Sequence, residues 1–132
     1  MLIAVLDTNV VVSALWTPNG KAAYIITQAI AGRLKLCHDY RILAEYMEVL
    51  SRPKFKFFDW QINFLLDRFE KDGISVIPLS LPQVPFTDES DRVFYEVAKF
   101  CNAPLVTGNL KHFPQDDCIV TVSDFYEKLL RL

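Results

Sequence analysis

The chain opens on Leu2-Ile3-Ala4-Val5-Leu6 and runs straight into Asp7. No polar residue interrupts the run, so the two-residue alternation of a half-buried strand is absent. A short apolar run rich in branched side chains suits a strand covered on both faces, and such strands belong mainly to parallel sheets packed between helices. In open sheets of that type, ligands gather beyond the carboxyl ends of the strands. Asp7 falls at that rim. A lone carboxylate is costly to bury there unless a cation or hydrogen-bond donors receive it, so other residues of the chain are expected to meet Asp7.

Beyond Asp7 the pattern alternates between helix and strand. Val10 to Trp16 reads as a short helix with Thr8 or Asn9 as cap, broken by Thr17-Pro18-Asn19-Gly20. Lys21 to Ala31 is a second helix, with Gly32 as its C′ residue. Leu34 to Cys37 is a strand. Asp39 caps a helix to Leu50, which ends before Pro53. Trp60 to Asp72 is a helix capped by Asp59 and closed by Gly73, and Ile74 to Leu79 is a strand. Pro78, Pro82 and Pro85 make an extended connection. Asp88 to Cys101 is a helix with acids in its first turn. Strands at Leu105 to Thr107 and Cys118 to Val122 follow, and Ser123 caps a last helix from Asp124. About five strands separated by helices make a doubly wound α/β layout.

The 132 residues, 52% hydrophobic, suffice for one domain over 1–132 with a sizeable core. Net charge is −2 and the pI about 5.6, unlike a protein that grips nucleic acid by bulk charge. Divalent ions in an acidic site would offset much of that negative charge. Cys37, Cys101 and Cys118 form no Cys-x-x-Cys pair and read as buried, reduced thiols. No charged segment precedes Leu2, and no apolar run approaches the ~18 residues of a membrane span. The expectation is a soluble, cytoplasmic protein without a membrane partner.

Several acids are placed to join Asp7. With Ile42 at zero on its helix and ~100° per residue, the apolar stripe centres near ~40°, Glu45 falls near ~−60° and Glu48 near ~−120°. Glu45 therefore flanks the buried stripe, while Glu48 points to solvent. Asp91 shares the buried side of its helix with Phe94 and Ala98, and Asp88 sits at its cap. Thr107-Gly108-Asn109 follows a strand at the same rim, where Gly108 allows a tight turn and Asn109 offers an uncharged oxygen. Crowded carboxylates raise one another's pKa, and a hard cation such as Mg²⁺ or Mn²⁺ relieves that with oxygen ligands and water. His38 and His112 are isolated beside loops and read as surface residues. A haloacid-dehalogenase-type phosphatase needs a second Asp where Asn9 stands. A receiver domain needs its phosphoacceptor after the third strand, where Pro78 stands.

Leu6-Asp7-Thr8-Asn9-Val10, Glu45 in the helix after the second strand, Asp88-Glu89-Ser90-Asp91 opening a helix to Ala98, and Val106-Thr107-Gly108-Asn109-Leu110-Lys111-His112-Phe113 stand in order along the chain. In that order and spacing the chain resembles the PIN-domain nucleases, including the VapC-type toxins of toxin–antitoxin pairs. The resemblance covers nearly the whole length. It implies a three-layer α/β/α sandwich around a mostly parallel sheet, and Mg²⁺- or Mn²⁺-dependent cleavage of single-stranded RNA. It assigns Asp7, Glu45 and Asp91 as metal-holding and catalytic acids, with Asp88 as an auxiliary ligand and Asn9 and Ser13 as hydrogen-bonding helpers. The family's fourth acidic position is Asn109 here, which removes a charge; Asn109 and Thr107 would orient water or phosphate. Arg52, Lys54, Lys56, Lys111 and Lys99 are candidate RNA phosphate contacts. Phe55, Phe57, Phe58 and Trp60 are candidates for base stacking or for a core or dimer contact. The aromatic run from Phe55 to Phe69 is the candidate surface for an antitoxin or a homodimer. A second reading keeps the fold but makes it a catalytically weak RNA-binding or assembly module, which Asn109 and the acidic pI favour.

Overall fold

At the centre of the sheet β1 (Leu2–Leu6) pairs in parallel with β2 (Leu34–His38) on one side and β4 (Leu105–Thr107) on the other. The computed structural model describes residues 2–132. Two outer strands, β3 (Ile74–Ser75) and β5 (Ile119–Thr121), complete a five-stranded, all-parallel sheet in the order β3-β2-β1-β4-β5. Ala4, Val5 and Leu6 point alternately to opposite faces, yet each is fully buried. Helices therefore cover both sides, in the three-layer α/β/α arrangement. They are α1 (Thr8–Trp16), α2 (Lys21–Ile30), α3 (Tyr40–Leu50), α4 (Asp59–Asp72), α5 (Arg92–Cys101) and α6 (Val122–Leu130).

The strand order reverses between β1 and β4, so their carboxyl ends frame the crevice where such folds bind ligands. The register is anchored there: the Asp7 N–H donates to Val106 O at 2.9 Å, and the buried Tyr46 hydroxyl of α3 donates to Leu6 O. Phe94, Val97 and Ala98 of α5 and Ile42 and Leu50 of α3 are buried, as their helical spacing requires.

Several boundaries differ from expectation for local reasons. Asp7 itself caps α1, accepting from Thr8 N–H. Phe58 stands at the N-cap of α4, where the Gln61 side chain receives its N–H, so Asp59 lies in the first turn. Thr121, not Ser123, caps α6 by accepting from Asp124 N–H. The 88–101 helix begins as a 3-10 turn, Glu89–Asp91, with Asp88 accepting from Ser90 N–H. β3 stops at Ser75: after Val76 N–H donates to His38 O, Pro78 has no donor to offer, and Ile77 and Leu79 turn outward. Gly73 precedes β3 because a Cβ there would strike the carbonyl oxygens of Leu36 and Phe69.

His38 is corrected from surface to core. It ends β2 with 2% exposure, and its Nε2 pairs with Phe69 O at 2.9 Å. Burial lowers its pKa, so the ring is neutral there. All three cysteines are unpaired; Cys37 is buried, whereas Cys101 and Cys118 are half-buried. Among the described residues no helix is long and apolar enough to cross a membrane.

Candidate active site

Asp7 leaves β1 directly into the first turn of α1, and both its carboxylate oxygens are occupied by neutral donors. Oδ1 accepts from Thr8 N–H at 2.8 Å, and Oδ2 accepts from the Thr107 hydroxyl at 2.8 Å. Thr107 Oγ1 in turn accepts from Asn109 N–H at 3.0 Å, tying the loop after β4 to the first acid. Asn9 Oδ1 accepts from Gly108 N–H at 3.2 Å and holds the same loop from the other side. The carboxylate is thus oriented by β1, α1 and β4 together. Burial raises the Asp7 pKa, against the opposing effects of the Thr107 and Thr8 bonds and the His112 charge.

Asp7, Glu45, Asp88 and Asp91 line one open cleft of about 280 Å³, together with Asn9 and His112. Asp91 is delivered by the 3-10 turn that opens α5 and is 9% exposed. His112 Nδ1 lies 3.7 Å from its Oδ2, an ion pair only when the imidazole is protonated. Burial, followed by the Asp7 charge, pushes the Asp91 pKa up to about 6, with His112 opposing and Asp88 and Glu45 adding to the rise. Glu45 comes from the middle of α3 and is half-buried, while Glu48 is exposed, as the helical wheel requires. Its pKa is raised by burial first and then by Glu48, with Arg52 opposing and Asp88 and Asp7 adding. Asp88 is exposed, and the Ser90 N–H and hydroxyl hold its pKa below the ordinary value.

No lysine or arginine is among the residues lining this cleft. Nor, among the described residues, do any three His, Cys, Asp or Glu side chains form a ready-made cage for an ion. The acids ring a solvent-open space instead. Such a wall of oxygen donors, crowded enough to raise pKa values and without a fixed cation, fits an ion that keeps much of its own water.

The other expected residues are more dispersed. Asn109 stands behind the wall: its Nδ2 lies 2.9 Å from His112 Nε2, and His112 faces Asp91. Ser13 is exposed on α1 and does not line the cleft. Arg52 is tied back to Glu48 by two bonds of 2.8 and 3.3 Å. Lys54 lies over the Phe55 ring, and Lys56 is exposed in a left-handed conformation. Lys111 lines a separate hollow with Asp116, which Lys99 engages at 2.9 Å. His112 was the residue whose place in the cleft the sequence concealed. The available signal was its spacing of three from Asn109, which a 3-10 turn brings onto one side.

A family model described as the PIN domain matches residues 4–111. Among solved structures, a chain of VapBC2 from Rickettsia felis, crystallised bound to a DNA fragment from its promoter, is 19% identical. The match covers 91% of this chain and 97% of that one, with a TM-score of 0.61. PAE2754 from Pyrobaculum aerophilum is 15% identical, with 99% and 91% covered and a TM-score of 0.65. At these identities the likeness is one of fold. No curated protein matches the chain by sequence.

Proposed function

The chain belongs to the PIN-domain family, and from that premise we propose that it is a divalent-metal-dependent endoribonuclease acting on single-stranded RNA, the toxin of a toxin–antitoxin pair. The observation that carries the reading is the shared cleft: Asp7, Glu45, Asp88 and Asp91 line it without a fixed cation, burial raises the pKa values of the first, second and fourth, and neighbouring carboxylate charge adds to the rise at Glu45 and Asp91. Natural proteins hold carboxylates in that state where a cation completes the site. Asp7, Glu45 and Asp91, with Asp88 beside them, are the residues that would hold Mg²⁺ or Mn²⁺. A bound divalent ion would supply charge neutralisation at the scissile phosphate and a lowered pKa for attacking water.

The chain's own residues then have separable tasks. Thr107 Oγ1–H and Thr8 N–H fix the Asp7 carboxylate in one orientation. Asn109 steadies His112 against Asp91. Arg52, Lys54 and Lys56, in the chain segment around Phe55, supply phosphate contacts at the mouth, and Lys111 supplies one further along the strand. A different surface suits a protein. An apolar hollow of about 240 Å³ between α1, α2 and α4 is lined by Leu15, Ile26, Leu65, Trp60 and Phe64, the last two largely exposed. We assign it to the antitoxin or to a second copy. Trp60→Ala should weaken that association and leave RNA cleavage unchanged; unaltered partner binding and unaltered mass in solution would remove the assignment.

The decisive experiment is cleavage of a labelled single-stranded RNA in Mg²⁺ or Mn²⁺. EDTA should stop it, and Asp7→Asn should lower it by about 100-fold or more. An Asp7→Asn protein that cuts as fast as its parent would overturn the reading. Asn109, in the family's fourth acidic position, supports the second reading of a weakly catalytic RNA-binding or assembly module. Calorimetric Mn²⁺ binding without any cleavage would select that one.

A further inference from the structure

The cleft continues past its acids. Thr8, Val12 and Trp16 stand at i, i+4 and i+8 on α1 and so share one face. Thr8 and Val12 line the cleft, and Trp16 stands roughly 12 Å beyond Thr8 along the helix. Across from them, Glu45 and Val49 stand one turn apart on α3 and line the same space, and the chain beyond α3 brings Phe55 back to it. The cleft therefore passes from the acids around Asp7, over Val12 and Val49, to Phe55, with Trp16 and Phe57 packed against Phe55 beyond its lining.

That aromatic end is assembled in advance. Trp16 meets Phe55 edge-on at 5.7 Å and Phe57 at 6.0 Å. Phe55 and Phe57 stack at 5.5 Å with an interplanar angle of 8°. Phe57 packs against the core, so the stack is held from below. Trp16 nevertheless remains 58% exposed, a large apolar surface left in water beside a cleft. The fixed cations also lie at this end. Lys54 Nζ stands 5.1 Å over the Phe55 ring, and Lys56 extends from the same short turn, whereas no lysine or arginine lines the cleft itself.

An exposed indole backed by half-buried phenyl rings and flanked by lysines, running on from a site suited to phosphate chemistry, matches a polymer that alternates π-faces with phosphates. A duplex hides its base faces in its own stack; a single strand offers them. We propose that Trp16 and Phe55 form a nucleobase-stacking subsite, with Lys54 and Lys56 on the adjoining phosphates, which holds one base of a single-stranded polynucleotide a few nucleotides from the phosphate at the acids. This rests on the nuclease reading only for what happens at the acidic end.

The test uses the whole chain carrying Trp60→Phe, which leaves Trp16 as the single indole of the two in the sequence. The protein is titrated with an adenosine octamer and with an octamer of the same backbone lacking bases, at low salt, in EDTA and again in Ca²⁺. The base-bearing octamer should quench Trp16 emission and the abasic one should not. Trp16→Leu and Phe55→Leu should each weaken binding about 10-fold, the loss of one stacked base. Equal binding by the two octamers, variants that bind like the parent, or a Trp16→Leu change that alters mass in solution but not RNA affinity would each overturn the subsite, the last pointing to a protein contact. If the leucine variants fail to fold, the comparison of the two octamers on the Trp60→Phe protein decides alone. Cleavage in Mg²⁺ without Trp16 quenching sinks the subsite and spares the nuclease reading; quenching without metal-dependent cleavage does the reverse.

Discussion

Two pairs of acids lie buried near the carboxyl ends of the central strands, and the chain treats them in opposite ways. Asp39 and Glu96 are each 2% exposed, and Asp7 and Asp91 are 5% and 9% exposed. Arg41 reaches Asp39 Oδ2 at 2.7 Å and Glu96 Oε1 at 3.0 Å. The remaining oxygens accept from Ile42 N–H at 2.9 Å and Leu81 N–H at 2.7 Å. Every carboxylate oxygen there has a donor, and a guanidinium forks between the two groups. Asp7 and Asp91 receive hydroxyl, amide and a distant imidazole, but no fixed cation. The first pair is a structural clasp between α3, α5 and the segment before Asp88. The second is a charge deficit maintained by the same fold. Burial alone is therefore a poor guide to function; what separates the two pairs is whether the chain supplies its own counter-charge.

The contrast can be broken most severely from the clasp side. Arg41→Met should destabilise the protein by about 3–5 kcal/mol, because two buried carboxylates lose their shared cation. Urea denaturation at neutral pH measures it; a loss below 1 kcal/mol would mean that water already serves these acids, and the contrast would dissolve.

A smaller effect of opposite sign is expected in the cleft. The Asp91 pKa is raised from 3.8 to about 6 in the folded chain. Its contribution is thus fully favourable below pH 4 and is lost as pH rises through 6. Without divalent metal, Asp91→Asn should raise stability at pH 7 by about 1–3 kcal/mol and flatten the decline between pH 4 and pH 7. Melting temperatures across that range report both. In Mg²⁺ or Mn²⁺ the order should reverse, since the parent gains stability from ligand binding that the variant has lost. An Asn variant no more stable than its parent in EDTA would show that Asp91 carries no unmet charge.

Thr107→Val sharpens the comparison at the smallest scale. It removes the hydroxyl that Asp7 Oδ2 relies on and leaves the threonine's volume nearly unchanged. A loss of about 1–2 kcal/mol in stability is expected, with metal-dependent cleavage down about 10-fold. Cleavage at parental rate would show that the loop after β4 does not orient the first acid.

Much of the acidic cleft was legible along the chain because its pieces obey local rules. An unbroken apolar run marks a doubly covered strand, so Asp7 falls at a rim. An acid before a helical stripe marks a first turn, so Asp88 and Asp91 fall beside it. A glycine after a short strand marks the loop of Asn109. Glu45 followed from the helical wheel. The clasp left no such trace: Arg41 and Glu96 stand 55 residues apart, and nothing in the neighbourhood of either announces the other. His38 looked like a loop residue because its partner, Phe69 O, lies 31 residues away. The expected strand over Ile74 to Leu79 shrank to Ile74–Ser75, since Pro78 has no N–H to give a neighbouring strand and Ile77 and Leu79 are exposed.

The order of residues along the chain dictates the alternation of strands and helices, the parallel character of the sheet and which carboxylates stand at strand or helix ends. Those are properties of short segments, set by backbone sterics, side-chain period and capping. Which of the buried acids is neutralised and which is left to share a cleft follows from long-range packing. That depends on whether a cation from a distant segment arrives within reach, and reach across the sheet is fixed by strand order and helix packing, not by neighbours in the chain.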